Sequence, residues 1–186
     1  MQKDTSANLL KAIAGESMAR NKYTYFAEIA RKEGFEWVAA VFEETALNEK
    51  AHAQEEMELL SEPAEMTNTY DIQPLGDTLT NLKNAVAGET FETDVMYPGF
   101  MEKAKADGDE KAAKLFKEIA EVEAHHGERY QILADRLEKG TMFKSDKETE
   151  WKCLNCGYIH TGTEAPDRCP LCTKPQGFYM ELGIVK

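Results

Sequence analysis

Six of the 186 residues combine types and spacings that fit a buried metal centre: Glu16, Glu49, His52, Glu89, Glu123 and His126. Glu49-Lys50-Ala51-His52 and Glu123-Ala124-His125-His126 each set a carboxylate and an imidazole three residues apart, on one face of a helix. All four glutamates fall on apolar stripes, not opposite them. Glu16 follows Leu9, Ala12 and Ile13 at helical spacing; Glu49 follows Phe42 and Ala46; Glu89 follows Leu82 and Val86; Glu123 follows Phe116, Ile119 and Ala120. Unpaired ionised carboxylates in such a core are costly, and the stripes hold no Lys or Arg to neutralise all of them. Multivalent cations solve the problem. One Glu from each of two helices, plus Glu-x-x-His from each of two others, is a ligand set for paired iron or manganese ions. A single Glu-x-x-His is as easily a chance pair on a solvated face; two such pairs with two matched glutamates argue against chance. Glu92, one turn beyond Glu89, is either a fifth carboxylate ligand or a solvated residue beside the stripe. Tyr23 and Tyr97 lie near the same level, where an inward Tyr commonly serves packing. His125 points another way from its neighbour and reads as surface.

A second metal signal follows. Cys153-x2-Cys156-x12-Cys169-x2-Cys172 contains all four cysteines of the chain, and two such knuckles of thiolates complete a tetrahedral sulfur site. Spacing does not choose between iron and zinc. A zinc ribbon would be structural, whereas a tetrathiolate iron passes one electron at a time.

Amphipathic helices must position the first set. Gly34, Pro63, Gly108 and Gly140 punctuate the apolar periodicity, which predicts four helices near 5–33, 35–60, 75–107 and 109–138. Pro98 removes a backbone donor from the third and predicts a kink just after Tyr97. The pattern repeats: Ala14-Gly15-Glu16 matches Ala87-Gly88-Glu89 at an offset of 73, and Phe42, Ala46, Glu49 and His52 match Phe116, Ala120, Glu123 and His126 at 74. One helical hairpin therefore occurs twice. Glu16 stands 18 residues before Gly34 and Glu49 15 after it, so they meet at about 27 and 22 Å along antiparallel helices. The link Ser61–Gln73 can span about 43 Å, enough to run the length of a bundle. This predicts two antiparallel hairpins joined by one long crossover, the connectivity of ferritin-like four-helix bundles.

Composition bounds the rest. Residues 1–140 form the expected bundle, 141–150 a polar, exposed link, and 151–186 a turn-rich module too small to fold without a metal or disulfide staple. The net charge of -12 arises entirely before residue 141, since 141–186 holds six basic and six acidic residues. Such acidity repels phosphate backbones and anionic lipids, so neither nucleic acid nor membrane is an expected partner. No apolar run suits a membrane span, and the start lacks the hydrophobic stretch of a secretory signal, so a cytoplasmic location is expected. There, paired cysteines serve metals before disulfides.

Both modules together resemble the rubrerythrin family over essentially the whole chain. The likeness rests on Ala14-Gly15-Glu16-Ser17, Asn48-Glu49-Lys50-Ala51-His52, Ala87-Gly88-Glu89-Thr90-Phe91-Glu92, Met96-Tyr97-Pro98-Gly99-Phe100 and Glu123-Ala124-His125-His126. It continues through Cys153-Leu154-Asn155-Cys156-Gly157-Tyr158 and Ala165-Pro166-Asp167-Arg168-Cys169-Pro170-Leu171-Cys172. The resemblance implies a non-haem di-iron peroxidase reducing hydrogen peroxide to water in oxidative-stress protection. Two irons, oxo-bridged when oxidised, would occupy the bundle, and a rubredoxin-like tetrathiolate iron would admit electrons; zinc is a possible substitute. By position, Glu49 and Glu123 would bridge the irons, Glu16 would bind one, and Glu89 with His126 the other. Glu92 and His52 would alternate on the first iron as its oxidation state changes, and the Tyr23 and Tyr97 hydroxyls would support the carboxylates. The family also implies a homodimer or larger homo-oligomer, arranged head to tail, and an electron donor that is a rubredoxin or an NAD(P)H-dependent reductase. Thr93 stands where Trp is frequent and His125 where an aromatic is frequent; neither is a ligand position. Two other readings use the same residues. A ferroxidase or iron-storage protein has no need of the cysteine module, and a zinc-loaded structural or binding protein would consume no peroxide.

Overall fold

A computed structural model describes residues 3–184; positions 1, 2, 185 and 186, which the sequence reading assigned to the two modules, lie outside the described residues. Five helices and a three-stranded sheet follow in order: α1 (Lys3–Lys32), α2 (Glu36–Glu58), α3 (Thr78–Phe91), α4 (Tyr97–Ala106), α5 (Glu110–Glu138), β1 (Lys144–Cys153), β2 (Ile159–Glu164) and β3 (Tyr179–Glu181). Helix α1 stops at Gly34, whose φ of +87° is the left-handed conformation that lets the Phe35 N–H reach back to the Ala30 carbonyl. The α1–α2 and α3–α5 hairpins then pack against each other, with the crossover between them. Asp77 and Asp109 cap α3 and α5 through the N–H groups of Thr80 and Ala112.

The third expected helix is interrupted differently from the sequence reading. A π-helical turn, Glu92–Met96, separates α3 from α4, and the Tyr97 N–H bonds the Glu92 carbonyl five residues back. Pro98 has no N–H for the Asp94 carbonyl, and the ladder shifts register in the turn before the proline, ahead of the position after Tyr97 that the sequence points to. The extra residue in this turn lies between Glu89 and Tyr97, two of the residues the sequence singles out.

The interior has two apolar clusters. One, built on Tyr23, Phe26, Trp37, Phe42, Tyr130 and Leu133, lies toward the α1–α2 turn; the other gathers Leu9, Tyr97, Phe116 and Ile119. Both give way to buried Glu16, Glu49, Glu89, Glu123 and His126.

The C-terminal sheet has the order β2-β1-β3, all antiparallel, with Trp151 opposite His160 on one side and Glu181 on the other. The stretch expected as an exposed link is partly strand, because β1 starts at Lys144. This sheet domain is seated on the bundle. The Phe143 ring stacks on Phe35 with centroids 6.4 Å apart, and the half-buried Arg136 guanidinium pairs with buried Glu181 at 2.6 Å while facing the rings of Trp37 and Trp151. Gly177 approaches so closely that a Cβ there would lie 1.9 Å from the Gly34 carbonyl oxygen. Among the described residues no helix is long and apolar enough to cross a membrane.

Candidate metal centre

Two of the sequence-predicted carboxylates face two ways at once. Glu49 places Oε2 3.1 Å from His52 Nδ1 and Oε1 3.3 Å from His126 Nδ1. Glu123 places Oε1 2.8 Å from His52 Nδ1 and Oε2 2.6 Å from His126 Nδ1. Their four oxygens thus divide between two pockets, one completed by Glu16 and His52 and the other by Glu89 and His126. The ligand atoms of Glu16, Glu49, His52 and Glu123, and those of Glu49, Glu89, Glu123 and His126, each lie within 4.8 Å of one another. Ligands about 2.0–2.2 Å from one ion sit at most about 4.4 Å apart, so small inward shifts would complete either set.

The electrostatics fit cations. Glu16 Oε2, Glu49 Oε1, Glu89 Oε2, both Glu123 oxygens and His126 Nδ1 are buried and make no hydrogen bond, although several lie within ion-pair range of one another. They converge without bonding, as ligand atoms aimed at a common centre do. Burial, then repulsion from neighbouring carboxylates, raises the pKa of Glu89 well above its ordinary value; burial does the same for Glu16 despite its contact with His52. Glu49 moves oppositely: burial opposes its charge, but bonds to His126 and His52 take it down to about 2. Burial disfavours the His126 imidazolium, yet Glu123 and Glu49 push its pKa up to about 9, and Glu123, Glu16 and Glu49 raise that of His52 similarly in direction. Protons therefore gather where cations belong. If all five carboxylates, counting Glu92, were ionised they would outnumber the two imidazoles, an excess that two divalent ions would offset in place of those protons.

Glu92 is half-buried beside this set and outside both four-residue groups, so His52 and not Glu92 completes the first pocket here. Burial and the charges of Glu123 and Glu49 push its pKa up to about 8. The Tyr23 hydroxyl donates to Glu89 Oε1 and the Tyr97 hydroxyl to Glu16 Oε1. Each leaves its carboxylate's other oxygen to face a pocket. His125 is exposed, and Thr93 is half-buried with its hydroxyl making no hydrogen bond.

Sequence reasoning passed over two residues. Glu56, fully buried, lies within 3.0 Å of the Tyr97 hydroxyl; its place on the stripe Glu49, Ala53, Glu56 was the available signal. Gly127 lets α5 approach α3, since a Cβ there would stand 3.2 Å from the Glu89 Cβ.

In the sheet domain the Cys153 and Cys172 sulfurs lie 3.7 Å apart and those of Cys156 and Cys169 3.6 Å. A tetrahedron of sulfurs about 2.3 Å from a metal has edges of about 3.75 Å, whereas a disulfide is about 2.05 Å long. The four thiols fit one ion. Burial opposes ionisation of Cys169, but the Cys172 backbone N–H takes its pKa down to about 6.

Comparison with known proteins covers both modules. The family profile described as Rubrerythrin matches residues 7–134, and that described as Rubrerythrin, rubredoxin-like domain matches 151–179. Rubrerythrin of Porphyromonas gingivalis is 43% identical over 176 residues, covering 94% of this chain and 88% of that protein. Rubrerythrin of Nitratidesulfovibrio vulgaris is 39% identical over 181 residues, covering 97% and 95%. Among solved structures, nigerythrin in a mixed-valent state gives a TM-score of 0.67 at 35% identity, covering 97% of this chain and 88% of that one. The bacterioferritin BfrA of Mycobacterium tuberculosis, 18% identical with a TM-score of 0.67 and covering 75% of this chain and 89% of its own, shares the fold. A ferritin-like bundle with a paired carboxylate–histidine site, joined to a small four-cysteine sheet domain and alike throughout to these relatives, places the chain in the rubrerythrin family.

Proposed function

We propose that the protein is a non-haem di-iron peroxidase that reduces hydrogen peroxide to water and draws electrons through a tetrathiolate iron in its sheet domain. The observation that carries this reading is the division of the Glu49 and Glu123 oxygens between two pockets, which suits two ions held side by side. Iron, when bound, supplies the two electrons that cleave the O–O bond, one from each ion. A related nigerythrin has been described in a fully reduced, all-ferrous state, which supports iron as the resident metal.

The chain's own groups do the remainder. Glu49 and Glu123 would be shared between the two ions, and Glu16 with His52, and Glu89 with His126, would complete the two sides. Apolar clusters above and below exclude bulk water, so each carboxylate interacts strongly with its ion. Tyr23 and Tyr97 fix Glu89 and Glu16 through one oxygen each. Glu92, half-buried beside this set, would offer an anionic oxygen suited to a ferric ion and His52 a neutral imidazole suited to a ferrous one, so the two would exchange with oxidation state. Unchanged ferrous coordination and peroxide reduction in His52→Ala would refute that exchange.

About 22 Å of helix separates Gly34, where the sheet domain is seated, from Glu49. That separation favours delivery of electrons from the cysteine site of a second copy in a head-to-tail homodimer, itself reduced by a rubredoxin or an NAD(P)H-dependent reductase. Four free thiols suit a cytoplasmic location, and the reaction suits protection against oxidative stress.

The test is anaerobic metal analysis with optical spectroscopy before and after stoichiometric peroxide. The peroxidase reading expects about three irons per chain and return of the ferric–thiolate colour with peroxide. An accumulating mineral core would indicate storage, and colourless zinc at both sites a structural protein; either result contradicts the proposal.

A further inference from the structure

The Tyr97 hydroxyl touches two carboxyl groups. One is Glu16 Oε1; the other is Glu56 Oε1, 3.0 Å away. A phenol has a single hydrogen, so it donates to one of these oxygens and toward the other can only accept. One of the two carboxyls must then carry its own proton. Glu16 turns its other oxygen toward His52, at 3.8 Å, and belongs to the set that would hold an ion, where carboxylates are ionised. The proton belongs on Glu56. That residue is fully buried near the end of α2, and among the described residues no Lys or Arg pairs with it. Burial, opposed by the Tyr97 bond, pushes its pKa up to about 8.

The internal repeat makes the arrangement more telling. At an offset of 74, Tyr23 corresponds to Tyr97 and Tyr130 to Glu56. In the other half of the site Tyr23 donates to Glu89, and behind it stands the Tyr130 ring, with centroids 5.4 Å apart. Only the Glu16 half has an acid behind its tyrosine.

We infer that Glu56 is a neutral carboxylic acid that feeds a proton through Tyr97 to the Glu16 edge of the metal centre. The inference rests on the peroxidase reading, whose reaction, H2O2 + 2 H⁺ + 2 e⁻ → 2 H2O, takes its electrons from the paired irons and needs two protons. Along the wire the Glu56 O–H bond breaks as a new Tyr97 O–H bond forms. The original phenolic proton moves to Glu16 Oε1 and supplies one of the two protons that the reaction consumes at that edge; the second comes from solvent. Glu56 is left as a carboxylate and Tyr97 as an intact phenol. Glu56 Oε2 is buried and makes no hydrogen bond among the described residues, so the second oxygen of the acid is not tied to another group. Glu56 acts through Tyr97 and is a positioning, proton-holding residue.

Glu56→Gln keeps a donor toward Tyr97 but carries no transferable proton. In iron-loaded protein with unchanged metal content, oxidation of the ferrous centre by one equivalent of peroxide should slow about tenfold or more. The difference between wild-type and variant infrared spectra should show the loss of one protonated-carboxyl band, identified by its shift in heavy water. Tyr97→Phe should slow the step comparably, and the double variant should be no slower than Tyr97→Phe alone, because both changes cut one wire. Wild-type protein inert toward peroxide would sink the peroxidase reading. Active wild type with an equally fast Glu56→Gln variant, a carboxyl spectrum unchanged by the substitution, or additive losses in the double variant would overturn the relay alone.

Discussion

Glu49 and Glu123 are the residues on which the paired site depends, because each lends one oxygen to either pocket. Glu49→Ala is therefore expected to lose both bundle ions while the cysteine-bound metal stays, whereas Glu16→Ala weakens chiefly the His52 side; metal content per chain distinguishes the two. Removing the ions has a pH signature. The raised pKa values of Glu56 and Glu92, from 4.5 to about 8, and of His126, from 6.5 to about 9, mean that the folded metal-free chain binds more protons than the unfolded one. Its stability should fall as pH rises from about 5 to 9, while the lowered Glu49 costs stability only toward pH 2. Thermal unfolding of metal-free protein across that range checks the slope, and loaded protein should lack most of it. Glu16, Glu49, Glu89 and Glu123 were legible because acid on an apolar stripe is anomalous. Glu56 lies on the same stripe but escaped notice, since it has no histidine beside it and its repeat counterpart is Tyr130. Proximity to Tyr97 is a tertiary fact.

Elements set these residues at one level, and their fit is tight where α3 meets α5. Gly127→Ala should favour α5 by up to about 1 kcal/mol in helix propensity, yet its methyl would press on the Glu89 Cβ. The expected outcome is thermal stability within about 1 kcal/mol of wild type and metal affinity on the Glu89–His126 side reduced severalfold, measured by competitive chelation. The helices, their hairpin repeat and the crossover could be read from periodicity and punctuation. Pro98 announced a disturbance. Its form, a π-helical turn ahead of the proline, depends on which carbonyls find donors after packing and is not written in the pattern.

At the scale of the whole molecule, the seating of the sheet domain fixes where the four-cysteine site lies, and with it the point at which the proposed reaction would take up electrons. Arg136 holds it, paired with buried Glu181 and placed over Trp37 and Trp151. Arg136→Leu should strand Glu181 and destabilise the joint by about 3–5 kcal/mol. Oxidation by peroxide should keep its rate while re-reduction slows, a split that stopped-flow spectroscopy resolves. The order of the modules and the four-thiol site were plain in the cysteine spacing. The joint was not, because Trp37, Arg136, Trp151 and Glu181 are scattered along the chain, and the stretch read as a link became the start of β1. Mössbauer spectroscopy of oxidised, isotopically enriched protein tests the central claim most directly. The account predicts about two irons of every three in one spin-coupled pair and the remaining one as an isolated high-spin ferric tetrathiolate. A spectrum in which the bundle holds a single ion, or only uncoupled ones, would contradict it.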